Sequence, residues 1–209
     1  MGERRPTDPR CSAAGDRATS SDVTDEERDA HLDSVLIGGR EPVTVVVQDP
    51  DPEWPVRFSA VRDLLEASLG GRALAIEHVG STAVPGLAAK PIVDVLLTVA
   101  DVEDEGAYAP ALESAGLVLR VREPGHRMFR SPEKDVHVHV HQPDDPAVTD
   151  LLDLRDRLRR SREDRALYAA TKRALAGREW PDMDHYADAK SAVIAEILSR
   201  ARAEVRRRP

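Results

Sequence analysis

The chain has a single cysteine, Cys11. One thiol cannot build an intrachain disulfide or a cysteine zinc site, which fits a reducing compartment and leads us to expect a cytoplasmic protein. Aromatic residues are only 3% of the 209, so the core must be aliphatic and broad base-stacking platforms for single-stranded nucleic acid are not expected. Basic charge is also in deficit: 30 Lys and Arg stand against 38 Asp and Glu, a net charge of −8. Binding of duplex nucleic acid, which relies on a basic surface to displace counterions, is therefore not expected. Long apolar runs are missing too. The longest are strand-sized, far below the ~20 residues of a membrane helix, and Arg4 and Arg5 are not followed by the apolar stretch of a signal peptide.

At 41% hydrophobic residues the chain can bury a sizeable core, and its length suggests one domain with an appended leader. Residues 1–40 read as that leader, disordered to about Asp22. A short solvated helix follows, where Thr24 and Glu27 have capping-box spacing. Residues 41–205 read as the domain. Val43–Val47 is expected as the first strand, and Glu53–Leu69 as an amphipathic helix with Trp54 as a core anchor. Further strands are expected at Ala73–Ile76, Ile92–Val99, Leu117–Val121, Met128–Arg130 and Asp135–His141, with helices from about Pro146 to the end, the last spanning Asp182 to about Ala203.

Two stretches carry chemistry. Between the second and third of those runs lie Gly80, Ser81, Thr82, Pro85, Gly86 and Lys90, followed by the lone strand carboxylate Asp94. Such a loop offers amides, hydroxyls and an ammonium to phosphate, with a metal ligand beside it. It is not a Walker A loop, since no Lys-Ser or Lys-Thr follows Gly86, nor a dinucleotide fingerprint. In the second stretch, Asp135–His141, period-two alternation puts Val136, Val138 and Val140 on one face and His137, His139 and His141 on the other. Two readings stand open: an exposed edge strand, or a site wall in which His137 and His139, about 7 Å apart, share a ligand. Later, Arg155 and Arg159 lie along one helix face, either solvated or available to a triphosphate. The pairs Tyr168 with Lys172 and Tyr186 with Lys190 suit ring-on-stem packing.

The string Glu77-His78-Val79-Gly80-Ser81-Thr82-Ala83-Val84-Pro85-Gly86-Leu87-Ala88-Ala89-Lys90-Pro91-Ile92-Val93-Asp94 resembles that of the GrpB-like family, which has the nucleotidyltransferase fold. So do Asp51-Pro52-Glu53-Trp54, His137-Val138-His139-Val140, the arginine helix from Leu154, and the two Tyr/Lys pairs, over about Val43 to Arg200. The resemblance implies an α/β (α+β) domain, a mixed sheet of four or five strands flanked by helices, with a C-terminal helical subdomain from about residue 146. It further implies a nucleotide or other phosphate-bearing ligand at Gly80, Ser81, Thr82, Lys90, Arg155 and Arg159, with Asp94 as the catalytic residue. Asp94, His137 and His139 would hold a divalent metal (Mn, Zn or Mg), and Glu77, His78, Tyr168, Lys172 and Lys190 are further candidates. Members fused to dephospho-CoA kinase suggest a link to coenzyme A biosynthesis. Active nucleotidyltransferases carry a second carboxylate two residues after the first, where this chain has Leu96. The expectation therefore divides between a metal-dependent nucleotidyltransferase and a catalytically inactive accessory module that binds a nucleotide or a coenzyme A precursor.

Overall fold

The structure, a computed structural model, describes residues 24–206; the expected disorder before Asp22 lies outside them. Helix α1 (Asp25–Val35) begins at Thr24, whose hydroxyl accepts from the Glu27 amide while the Glu27 carboxylate accepts from the Thr24 amide, the reciprocal cap the spacing predicts. It is not solvated all round. Leu32 and Val35 are buried, and the chain just beyond is tied down where Leu36 bridges Val121 and Arg120 donates to the Ile37 and Gly39 carbonyls.

Residues 43–47 do not form the expected strand. The run makes only isolated bridges at its ends, Val43 to Trp180 and Gln48 to Ala89. Val43, Val45 and Val47 instead pack with Leu175, Trp180 and Tyr186, so apolar burial rather than ladder pairing accounts for these three.

Helix α2 (Glu53–Leu69) follows, with Trp54 buried at its start and Gly70 at its end. Strands β1 (Ala75–Val79) and β2 (Val93–Thr98) are antiparallel neighbours. Helix α3 (Glu105–Ser114) leads to β3 (Val118–Glu123), β4 (His126–Arg130) and β5 (Val136–His141). The sheet order is β1-β2-β5-β4-β3, with β2 and β5 parallel and the other pairs antiparallel. The histidine strand is therefore central, not an edge. The C-terminal layer comprises α4 (Pro146–Arg160), α5 (Arg162–Ala176), α6 (Met183–Asp188) and α7 (Ser191–Arg206). The expected single last helix is broken between α6 and α7.

Strand parity decides the two faces of the sheet. Val93, Val95 and Leu97 of β2 join Val136, Val138 and Val140 of β5 in a core with Leu65, Leu69, Tyr108 and Phe129, under α2 and α3. The opposite parity gives Asp94 and Leu96 on β2 and His137, His139 and His141 on β5. That second face is only partly roofed. Leu96 packs with Val79 and Val148 beneath α4, while a second cluster around Val84, Leu87, Leu158, Tyr168 and Ile197 fixes the helical layer to the loop after β1. What is left uncovered is a cleft.

Candidate functional site: a loop, an acid and two imidazoles under a lysine rim

Gly80 closes β1 with φ +68° and ψ −165°, a region essentially restricted to glycine. A Cβ here would lie 2.9 Å from the Asp94 Cβ and 3.0 Å from its Cγ. The loop backbone thus rests directly on the strand carboxylate. Behind it, Thr82 donates to the Ile92 carbonyl (3.1 Å), and its oxygen sits 3.0 Å from His78 Nε2. Since that hydroxyl proton is used, His78 Nε2 carries the hydrogen and donates. The His78 ring stacks on Phe58 at 4.6 Å, and burial pushes its pKa down to about 4. His78 and Thr82 therefore brace the loop from behind; neither lines the cleft.

Arg155 and Arg159 are also behind the loop. Arg155 donates to Glu77 and to Asp156, 2.7 Å each, and to the His78 carbonyl. Arg159 donates to the Ala83 carbonyl at 2.9 Å. Their reach toward a triphosphate, which resemblance implies, is not the geometry seen: Arg155 is spent on Glu77, Asp156 and the loop's rear, Arg159 commits its Nε to the loop, and neither residue lines the cleft.

A cavity of about 860 Å³ brings the remaining candidates together. Gly80, Ser81, Lys90, Asp94, His137 and His139 line one part, joined by Tyr168, Lys172 and Lys190 from the helical layer. Asp94 stands opposite His137 in the β2/β5 register, and Leu96 opposite His139. Asp94 Oδ1 is 3.7 Å from His137 Nδ1 and 3.7 Å from His139 Nε2, and the three ligand atoms lie within 4.8 Å of one another. These separations are too long for hydrogen bonds. They match two donors each about 2.1 Å from a shared ion, so these three side chains could hold a divalent metal. Burial pushes the Asp94 carboxyl up, but His139, His137 and Lys90 pull harder and hold it below its ordinary value. His137 is pushed down to about 4, chiefly by burial, which leaves a neutral ring able to ligate.

The rim carries three lysines, Lys172 buried and Lys90 and Lys190 half-buried. Lys172 is buried, donates to the Ala88 carbonyl and stands 4.8 Å from the Tyr168 ring centre. Lys190 and Lys90 approach the Tyr186 ring at 4.1 and 5.0 Å. Burial lowers all three ammonium pKa values, to about 7 for Lys172 and about 8 for Lys190. Among the described residues none of the three has an ion pair with a carboxylate. Tyr186, whose buried hydroxyl has no partner among the described residues, belongs to this rim. Its i,i+4 spacing to Lys190 was the sequence signal for it. Nothing comparable pointed to His126, Glu123 or Asp184, which also line the cavity.

A mixed five-stranded sheet flanked by helices, with an acid and paired imidazoles in a cleft beneath a helical layer, makes this a mixed α/β protein with a candidate site on the second face of its sheet. Residues 44–200 match the GrpB protein family, and the chain belongs to it. A UPF0157 protein of Halalkalibacterium halodurans is 44% identical over 193 residues, 90% of this chain and 97% of that protein. The crystal structure of the conserved protein GrpB from Enterococcus faecalis superposes with a TM-score of 0.68 at 30% identity, covering 77% of this chain and 99% of that one. A dephospho-CoA kinase of Mycolicibacterium paratuberculosis is 29% identical over 201 residues, which is 82% of this chain but 49% of that protein. No helix among the described residues is long and apolar enough to cross a membrane.

Proposed function

We propose that this protein binds a nucleotide or a closely related phosphate-bearing small molecule in the cleft. Its phosphates would lie between the Gly80-Ser81 loop and the three lysines, beside a divalent ion held by Asp94, His137 and His139. The observation that carries this reading is the rim itself. Lys172 is buried and Lys90 and Lys190 are half-buried, none of them in an ion pair with a carboxylate among the described residues; this is costly in the free protein, and a polyanion would offset it. One carboxylate with two imidazoles suits Mn²⁺ or Zn²⁺ better than Mg²⁺, which prefers oxygen ligands.

The reaction such a site supports is nucleotidyl transfer. An acceptor oxygen bonds to the α-phosphorus, the bond from that phosphorus to the bridging oxygen breaks, pyrophosphate departs, and the acceptor proton passes to Asp94 or solvent. When bound, the ion supplies charge to the phosphate oxygens. The chain's own part is to hold the phosphates with Ser81, Lys90, Lys172 and Lys190 and to exclude water with Tyr168 and Tyr186. A second reading, a binding module without turnover, is favoured by Leu96. The position of the usual second carboxylate is apolar and lies under α4. The relative named as a dephospho-CoA kinase makes dephospho-coenzyme A one ligand to try.

Calorimetric titration with nucleoside triphosphates and dephospho-coenzyme A, each with Mn²⁺, Zn²⁺ or neither, tests the binding. Lys172→Ala and Lys190→Ala should each weaken the best ligand by about 1.5–3 kcal/mol, roughly 10- to 150-fold. Wild-type protein that binds none of these phosphates would end the reading. Pyrophosphate release that requires both the ion and Asp94 separates enzyme from module.

A further inference from the structure

The metal ligand His139 has a second nitrogen, and the structure accounts for it. His139 Nδ1 lies 3.2 Å from His126 Nε2, and His126 Nδ1 lies 2.7 Å from Glu123 Oε1. The other Glu123 oxygen faces His31 of α1 at 3.4 Å. The His126 ring runs nearly parallel to those of His139 and His141, at 11° and 10°. Its strand is pinned by Arg127, a buried guanidinium that donates to Glu103 and Glu105, while Gly125 at the hairpin turn donates its amide to Glu103.

A count of hydrogens gives this chain a direction. A carboxylate only accepts, so His126 Nδ1 carries the hydrogen donated to Glu123. In the neutral ring Nε2 is then a lone pair, which accepts from His139 Nδ1–H. That leaves His139 Nε2 as a bare lone pair facing Asp94 Oδ1 at 3.7 Å. Two lone pairs at this separation repel unless a cation lies between them. The reverse chain would need His139 Nε2–H to donate to Asp94, and 3.7 Å is too long for that.

We propose that His126 and Glu123 are positioning residues of the metal site: the relay Glu123–His126 fixes the proton of His139 on Nδ1 and turns Nε2 toward the ion shared with Asp94 and His137. The proposal rests on the metal reading above. Metal-bound histidines ordinarily donate their other N–H to such an outer partner, and loss of that partner costs about 10- to 100-fold in affinity.

The test is titration of metal-free protein with Co²⁺ alone, read from its visible d–d bands, with no nucleotide and no turnover. Wild type should bind one ion, and Asp94→Ala should lose it. His126→Ala and the isosteric Glu123→Gln should each bind about 10- to 100-fold more weakly with altered bands, at an unchanged apo melting temperature for Glu123→Gln. His126→Gln, whose amide oxygen can still accept from His139, should recover part of the loss. If wild type binds Co²⁺ through Asp94 and both His126→Ala and Glu123→Gln match it in affinity and spectrum, the relay is overturned while the metal site stands. If wild type binds no Co²⁺, the metal reading fails, and the relay fails with it.

Discussion

Replacing Gly80 with alanine tests the junction on which the whole site depends. Two costs add. The backbone at φ +68° and ψ −165° lies where L-residues are strained, worth about 1–3 kcal/mol. The new Cβ would also meet the Asp94 Cβ at 2.9 Å, and this overlap cannot be relieved by rotating a side chain, because both atoms are fixed by their backbones. Either the loop lifts or β2 is pushed. The expected destabilisation is about 2–4 kcal/mol, a fall in melting temperature of roughly 4–16 °C for a chain of this size. The loop would leave Asp94, so Co²⁺ and nucleotide affinity should fall with it. Gly86→Ala is the control: its φ is +75°, but no atom lies within 4 Å of the added carbon. It should cost only ~1–2 kcal/mol and leave both affinities intact. Differential scanning calorimetry and titration of the two variants decide the matter. Gly80→Ala with the stability and affinities of wild type would refute the close approach of loop to carboxylate.

Other expectations follow from burial. Leu96→Asp would place a carboxylate among Val79, Val148 and the partly buried Leu151 and Leu152. It should destabilise by about 4 kcal/mol or more in urea titration, rather than restore Mg²⁺-dependent turnover. Gain of that turnover in a stably folded variant would place the side chain in the cleft instead. The pH dependence of stability is set in part by His78, whose pKa falls from 6.5 to about 4 on folding. Between those values the unfolded chain holds the extra proton, so stability is full above pH 6.5 and is lost as pH falls toward 4, by up to about 3 kcal/mol. His78→Gln should flatten this part of the profile by nearly one proton; an unchanged slope in metal-free protein would show that His78 is not the group responsible.

What could be read from the chain alone, and what could not, follows from the range of each signal. Alternation along β5 assigns its faces correctly because parity is a property of one strand. Whether that strand is central or an edge depends on its partners β2 and β4, which no local pattern names. The run Val43–Val47 has strand composition, yet composition reports burial, and Val43, Val45 and Val47 satisfy it with Leu175 and Tyr186 without a ladder. The contacts of Arg155 were out of reach for a similar reason. A guanidinium on a helix face suits phosphate until Glu77, 78 residues earlier, is found beside it. The relay through His126 was invisible because its members come from three strands and their hydrogen bonds join residues with no periodic relation.

Leu96 shows how the same limit bears on function. Parity puts it on the side of Asp94, and that much is correct. Position along the strand then separates the two: Asp94 meets the Gly80 loop and the open cleft, whereas Leu96, two residues on, passes beneath α4 and into an apolar cluster. A second carboxylate here would be desolvated in that apolar cluster for as long as α4 covers it. The helix that roofs this part of the sheet therefore opposes the two-carboxylate arrangement by desolvation, and the imidazoles of β5, held beside Asp94 by the parallel register with β2, are the further donors on this face. On the proposed metal reading, any activity in this chain would run on a single ion with nitrogen and oxygen ligands, and the choice between Mn²⁺ or Zn²⁺ and Mg²⁺ in the titrations is the measurement on which that argument depends.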